Sequence, residues 1–360
     1  QVPASKNTTV AYYNLQNEKN HLQWIEQGLQ KYELIRIEVR PFKNVTPWRE
    51  LLIGIFSSLK SHKIYTFLSV VHHISKNEQL YVTMRAAEAL VHYFNFKEQL
   101  KNVSNLNIIV ASEGSPYCNA LLGMDQVLKN INCIMALHSH ITSIPVTINC
   151  YLGIFHGQKE KEDYERLCSV FEHVLFYPQE EWSPDKVRIN DTKISNICIG
   201  VSKRPHVKNL NKLLSKISTE SPQTMVTVRI HPNTFTPRLK DEISLPPNVQ
   251  ISTDTPLSYD IGNNNLHIGG DSNIHLNFLQ NNVPSIFVPD LEHKNNSPIS
   301  FLHKGLVLTK NINDLELNID EINKFYESRE WAKEALKYIS NEYTEREFFQ
   351  RLNSLLNLRC

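Results

Sequence analysis

Short, continuously apolar runs alternate with amphipathic stretches along the whole chain, and this alternation limits the fold more than any other feature. The apolar runs fall at residues 9–13, 34–39, 64–69, 106–111, 131–137, 174–177, 194–200, 224–230, 266–269, 285–288 and 305–308. Runs this short, without polar alternation, predict strands covered on both faces. Between them lie amphipathic stretches at 20–31, 47–60, 82–100, 119–128, 160–171, 207–217 and 274–280. Repeated β-α alternation predicts an α/β fold of doubly wound parallel sheets. Such sheets bind ligands at the carboxyl ends of their strands, where the strand order reverses.

At 360 residues the chain is longer than the roughly 100–200 residues of a single domain. The alternation breaks at residues 178–192, PQEEWSPDKVRINDT, a polar segment with two prolines. The expected organisation is therefore an N-terminal domain at 1–180, a second α/β domain at 181–330, and C-terminal helices at 331–360 that pack back across the domains. In that tail Trp331, Ala335, Tyr338 and Ile339 recur at helical spacing. Thr344-Glu345-Arg346-Glu347 then reads as a capping box, opening a helix with Phe348, Leu352 and Leu355 inward.

Charge and cysteine usage exclude several classes. Lysine plus arginine number 38 against 37 acids, which gives no electrostatic case for nucleic acid or an anionic membrane surface. The six cysteines stand singly, mostly within apolar runs, and read as buried thiols in a reducing, cytoplasmic compartment rather than a disulfide framework or zinc site. No run approaches the ~18 apolar residues of a membrane span. Peripheral association with the inner face of a bacterial inner membrane stays open, as does an anchor or signal preceding Gln1.

The richest segment is residues 267–288, HIGGDSNIHLNFLQNNVPSIFV, taken with Arg229-Ile230-His231-Pro232 upstream. It reads as strand, glycine turn, helix and strand. A helix start reached through Gly269-Gly270 offers unpaired N–H groups to an anion, and Ser272 adds a hydroxyl. Asp271 and Ser272 are each also good N-caps, and Asn273 follows them. His231 sits at a strand end, kept out of a helix by Pro232, and can donate to a phosphate. Arg229 shares its strand face with His231, either neutralising phosphate or simply solvated. Gly200 and Ser202, after the first strand of the second half, can meet a phosphate or ribose; an interdomain loop explains them equally.

In the first half, Ser112-Glu113-Gly114 follows an apolar run and places Glu113 at a strand end. There it can act as a general base, or else cap the next helix. His156, at the end of another apolar stretch, is a weaker acceptor-side candidate, while His138 and His140 read as core or surface residues. No D-x-D pair or metal-ligand spacing occurs, so neither a metal nor another cofactor is expected.

Two α/β halves with a site in the second and closing C-terminal helices resemble the GT-B glycosyltransferase architecture, two Rossmann-like domains facing a cleft. Residues 228–233 and 269–272 resemble the HP and Ser-Ser/Thr motifs of bacterial sialyltransferases and polysialyltransferases. Capsule Kdo transferases and polyol-phosphate polymerases carry a related HP motif. Ser112-Glu113-Gly114 resembles the acidic-pair motif of the sialyltransferases, with Ser112 in place of the first acid. Asn273 stands where a second Ser/Thr is expected. The resemblance implies Glu113 as base, with His231 and Ser272 on the donor phosphate. It implies an inverting, metal-independent transfer from a nucleotide-activated sugar, CMP-sialic acid or a similar CMP-sugar, to a glycan acceptor in capsule or lipooligosaccharide. Two other readings fit the same residues: a GT-B-like UDP-sugar epimerase, and a non-catalytic two-lobed binding protein.

Overall fold

A computed structural model describes residues 8–13, 16–34, 36–41, 88–89, 92–94, 96–97, 100, 103, 106–111, 116–124, 128, 131–137, 148–166, 168–179, 182–202, 205–231, 239–252, 255–293, 302, 305–340 and 342–358. The chain divides into two compact units. One is formed by Gln1–His140, Pro145–Pro178 and Glu342–Cys360, the other by Ile141–Ile144 and Gln179–Asn341.

The first unit runs β1 (Thr8–Tyr13), α1 (Gln16–Lys31), β2 (Ile37–Pro41), β3 (Leu106–Val110), α2 (Pro116–Leu122), β4 (Ile131–Ala136), β5 (Asn149–Phe155), α3 (Gln158–Glu165) and β6 (Val170–Phe176). Its six described strands form one sheet in the order β2-β1-β3-β4-β5-β6, parallel throughout. β3 and β4 are buried along their whole length, as continuous apolar runs require when both faces are covered. The run at 64–69 and the stretch at 47–60 lie outside the described residues, and the described positions of 82–100 are helical.

Two expectations in this unit are corrected. β5 is a full strand where the sequence reading placed only an approach to a loop. The helix expected over 160–171 stops at Glu165, because Cys168 adopts a left-handed φ of 60° that reverses the chain into β6.

The second unit runs β7 (Asn196–Val201), α4 (Val207–Glu220), β8 (Met225–Ile230), α5 (Leu239–Glu242), β9 (Val249–Ser252), α6 (Leu257–Asn263), β10 (Leu266–Gly269), α7 (Ile274–Gln280), β11 (Ser285–Phe287), β12 (Leu308–Thr309), α8 (Ile319–Tyr326) and α9 (Arg329–Tyr338). Its parallel sheet has the order β12-β11-β10-β7-β8-β9. Ile197, Ile199, Val226, Val228, Ile268 and Ile286 pack against Leu210, Leu213, Leu214 and Ile217, the apolar stripe of α4. β9 and α6 were not anticipated, since VQIS and LSYDIGN carry too few apolar residues to show a period.

The last helix, α10 (Glu345–Asn357), belongs to the first unit. Its capping box is present as the sequence predicts, with both Thr344 and Glu347 bonds made. Phe348, Phe349, Leu352 and Leu356 join Leu22, Ile25 and Leu29 of α1 in one core. A Cβ on Gly28 would lie 1.9 Å from the Phe349 ring, so the absence of a side chain there makes room for the ring in this position. A buried amide row fixes the register beneath: Asn132 Nδ2 donates to Asn107 Oδ1 at 2.8 Å, and Asn107 Nδ2 to the Leu356 carbonyl at 2.8 Å. α9 instead packs within the second unit, where Trp331 Nε1 donates to the Leu306 carbonyl at 2.8 Å.

Candidate functional site

The strand order of the second unit places its ligand-binding edge. Numbered within the unit, β12-β11-β10-β7-β8-β9 is the 6-5-4-1-2-3 order of a dinucleotide-binding sheet, which reverses between β7 and β10. Gly200 pairs with Gly269 across that junction and with Arg229 on the other side. Beyond Gly200 the backbone N–H of His231 donates to the Val201 carbonyl at 3.1 Å. Gly200, Ser202, His231, Gly270, Asp271, Ser272 and Asn273 are thus brought to one edge, the carboxyl ends of three adjacent strands.

Ser202 is buried, and its Oγ donates to Glu292 Oε2 at 2.7 Å. The Asp271 N–H donates to the other oxygen, Oε1, at 3.2 Å. Glu292 follows β11 through a 3-10 turn, Pro289–Leu291, and forms an isolated bridge with Pro205. The turn is also tied to α4, since the His206 N–H donates to the Leu291 carbonyl at 2.8 Å. Sequence reasoning missed Glu292. Its partners lie up to 90 residues away, and the only signal was an acid shortly after the proline that closes β11.

The two turn glycines acquire specific reasons. A Cβ at Gly269 would meet His267 Cε1 at 2.8 Å, and one at Gly270 would meet Glu292 Oε1 at 2.1 Å. At this turn, where the sequence reading expects N–H groups offered to an anion, the close neighbour of Gly270 is the protein's own carboxylate. Ser272 Oγ accepts from the Ile274 N–H at 3.3 Å, whereas Asn273, the N-cap of α7, makes no side-chain cap.

Arg229 is a correction. Its guanidinium donates to the Asp260 carboxylate and, at 3.0 Å, to the Thr255 carbonyl. Ser252 Oγ donates to the same carboxylate at 2.9 Å. The arginine is therefore not simply solvated: its charge is met by a buried acid of α6.

Beneath the glycine turn lies a buried polar chain. His267, His275 and Ser285 are each fully buried. Burial pulls the His275 pKa down to about 4 and, with His275 beside it, holds His267 far below the usual histidine range, so both rings are neutral near pH 7. The tautomers then follow. His275 Nε2 lies 2.7 Å from the Gly270 carbonyl and must donate. Its bare Nδ1 accepts from Ser285 Oγ at 2.6 Å. Ser285 Oγ in turn accepts from His267 Nδ1 at 2.7 Å. This leaves His267 Nε2 as a buried acceptor without a hydrogen-bond partner. The chain aims His275 at the Gly270 carbonyl and so fixes the orientation of that peptide.

In the first unit Ser112, Glu113 and Gly114 lie outside the described residues, as do His138 and His140; so does Pro232 in the second. His156 stands at the end of β5, where its N–H donates to buried Glu160 Oε2 at 2.7 Å and its Nδ1 lies 3.1 Å from the same oxygen. Its ring lies 5.0 Å from Tyr177, whose hydroxyl pairs with His21 Nε2 at 2.8 Å. Burial, reinforced by the Glu160 charge, holds the Tyr177 hydroxyl well above its ordinary pKa.

Among the described residues no group of three or more His, Cys, Asp or Glu is placed to hold a metal ion, and no helix is long and apolar enough to cross a membrane.

No protein-family model matches the sequence, and no curated protein matches it. Solved structures do match in fold. The glycosyltransferase SnogD from Streptomyces nogalater superposes with a TM-score of 0.52 at 10% identity, over 97% of this chain and 100% of that one. The UDP-GlcNAc 2-epimerase from Neisseria meningitidis, solved bound to UDP-GlcNAc, gives 0.50 at 11% identity, over 97% and 99%. These likenesses show the fold: two Rossmann-like α/β domains of the GT-B kind.

Proposed function

We propose that this protein is a glycosyltransferase that binds a nucleotide-activated sugar at the β7/β10 edge of its second unit. The observation that carries the reading is the convergence of Ser202, His231 and the Gly270–Ser272 turn at the reversal point of a dinucleotide-type sheet. Backbone N–H groups, a serine hydroxyl and a histidine suit the charge that builds on a departing nucleotide. In this reading His231 and Ser272 meet the donor phosphate, and Glu113 removes the proton of the acceptor hydroxyl as it attacks the anomeric carbon from the opposite face, inverting it. The leaving charge is met by protein groups rather than a metal ion, so EDTA is expected to leave the rate unchanged.

The finer assignment rests on the likeness of His231-Pro232 and Gly270-Asp271-Ser272 to sialyltransferase motifs. It makes CMP-sialic acid or a similar CMP-sugar the donor and a glycan of capsule or lipooligosaccharide the acceptor, with the enzyme working in the cytoplasm or at the inner face of the membrane. Thermal-shift titration with CMP, CDP, UDP and GDP tests the donor site, because a ligand that binds only the folded state raises its stability. Stabilisation by CMP above the others is the expected result. Stabilisation by UDP alone removes the CMP assignment, and no response to any of the four removes the nucleotide site. Turnover of a nucleotide sugar without acceptor, yielding an isomeric sugar nucleotide, identifies an epimerase instead.

A further inference from the structure

The donor edge contains an acid that the proposed transfer does not use. Glu292 is 8% exposed and spans the edge with both oxygens engaged, Oε2 by the Ser202 hydroxyl at 2.7 Å and Oε1 by the Asp271 N–H at 3.2 Å. Gly270 leaves room for it, since a Cβ there would fall 2.1 Å from Oε1. The Pro205 bridge and the His206 bond to Leu291 hold the backbone of the acid against the β7 loop. A carboxylate and a phosphate seek the same partners, charge-assisted N–H and O–H donors at similar distances. They also repel each other when brought together. The corner therefore holds one or the other.

We propose that the Glu292 carboxylate is an internal stand-in for the donor's phosphate: it latches the corner formed by Ser202, Gly270 and Asp271, and a nucleotide enters only by displacing it. This rests on the donor-site reading above. The latch keeps the buried Ser202 hydroxyl and Asp271 N–H satisfied when no donor is bound, where unpaired they would carry a desolvation cost. It also lowers the apparent nucleotide affinity by the fraction of molecules in which the corner is open. Selectivity follows, because a neutral nucleoside gives nothing in exchange for moving the acid, whereas a nucleotide replaces one oxyanion with another.

The test is calorimetric titration of the full chain and of its Glu292→Gln and Glu292→Ala variants with CMP, CDP, UDP and GDP, and with the matching nucleosides. Removing the latch is expected to tighten binding of the preferred nucleotide about ten- to a hundredfold in Glu292→Ala, and less in Glu292→Gln, with nucleoside affinity unchanged. Glu292→Gln preserves the shape of the side chain and decides the matter alone if the alanine variant does not fold. Nucleotide affinity that is unchanged or weaker in folded Glu292→Gln overturns the latch and leaves the donor site standing; a weakening marks Glu292 as a direct ligand of the nucleotide. Absence of binding to all three proteins removes the donor site and the latch together.

Discussion

The two units build the same kind of sheet, and the described parts of their carboxyl edges carry different chemistry. In the second unit the edge is small and polar: a serine, a glycine turn, backbone N–H groups and one buried acid. In the first, the ends of β5 and β6 carry rings, with His156, Tyr177 and His21 packed together and Glu160 against the histidine. Among the described strands both sheets reverse at the first strand of the unit, between β1 and β3 in one and between β7 and β10 in the other. The sheet thus decides where a site can lie, while the loops after each strand decide what it can do.

The largest expected effect tests whether the two units divide the labour between acceptor and donor. Glu113→Gln, in the first unit, is expected to lower turnover by about two to four orders of magnitude while leaving nucleotide affinity nearly unchanged. His231→Ala, in the second, removes a donor from both ground and transition states. It is therefore expected to slow turnover and also weaken nucleotide binding, by about tenfold or more. Steady-state kinetics beside calorimetry separates the two. Near-normal turnover in Glu113→Gln shifts the base to another carboxylate–histidine arrangement, of which His156 and Glu160 are the described example.

The second effect is confined to the second unit. His275 is neutral in the folded protein, with a pKa lowered to about 4, but takes up a proton near pH 6.5 when unfolded. The unfolded chain therefore binds more protons between those values. Stability is complete above about pH 6.5 and falls as the pH drops towards 4, by about 3 kcal/mol over that span from His275 alone, with His267 acting in the same direction. Thermal melts from pH 7 to pH 4 check this. His275→Gln, which keeps a donor for the Gly270 carbonyl but cannot titrate, is expected to flatten the slope. An unchanged slope in that variant places the acid sensitivity elsewhere.

Legibility in the sequence follows the range of each interaction. β7, β8, β10 and α7 were readable because a continuous apolar run, or a glycine turn before a helical period, is written within a few residues. The same locality made the Thr344–Glu347 capping box plain. β9 and α6 were hidden by their polarity. Arg229 was legible as a strand-end cation but not as the partner of Asp260, because the acid arrives 31 residues later on another element. The Gly269-Gly270 turn was legible as a turn that could offer N–H groups to an anion, whereas what lies against Gly270, Glu292, is set by tertiary structure alone. Local pattern located the edge, and long-range pairing determined its charge.

A third effect returns to the first unit. Gly28→Ala would put a methyl group 1.9 Å from the Phe349 ring, so the buried ring or the helix that carries it must move. Such overpacking is expected to cost about 1–3 kcal/mol, read as a lowered melting temperature. If the division into two units is also a division of stability, His275→Gln should leave the transition that Gly28→Ala moves unchanged.

The smallest effect makes that comparison with a matched pair. α9 and α10 follow one another in sequence but belong to different units. Each begins with a hydroxyl N-cap: Ser328 Oγ accepts from the Trp331 N–H at 3.1 Å, and Thr344 Oγ1 from the Glu347 N–H at 3.2 Å. Removing either hydroxyl by substitution to alanine is expected to cost about 1 kcal/mol. Thr344→Ala also takes away the hydroxyl, though not the backbone N–H, of the two donors that hold the Glu347 carboxylate below its ordinary pKa. Because the two losses are similar in size and kind, they differ chiefly in which unit bears them. Denaturant unfolding followed by hydrogen exchange should show Thr344→Ala weakening protection in β3 and β4, and Ser328→Ala in β7 and β10. Equal weakening of all four strands by both substitutions would mean that the two sheets unfold as one cooperative body, and the contrast between the units would then be one of chemistry alone.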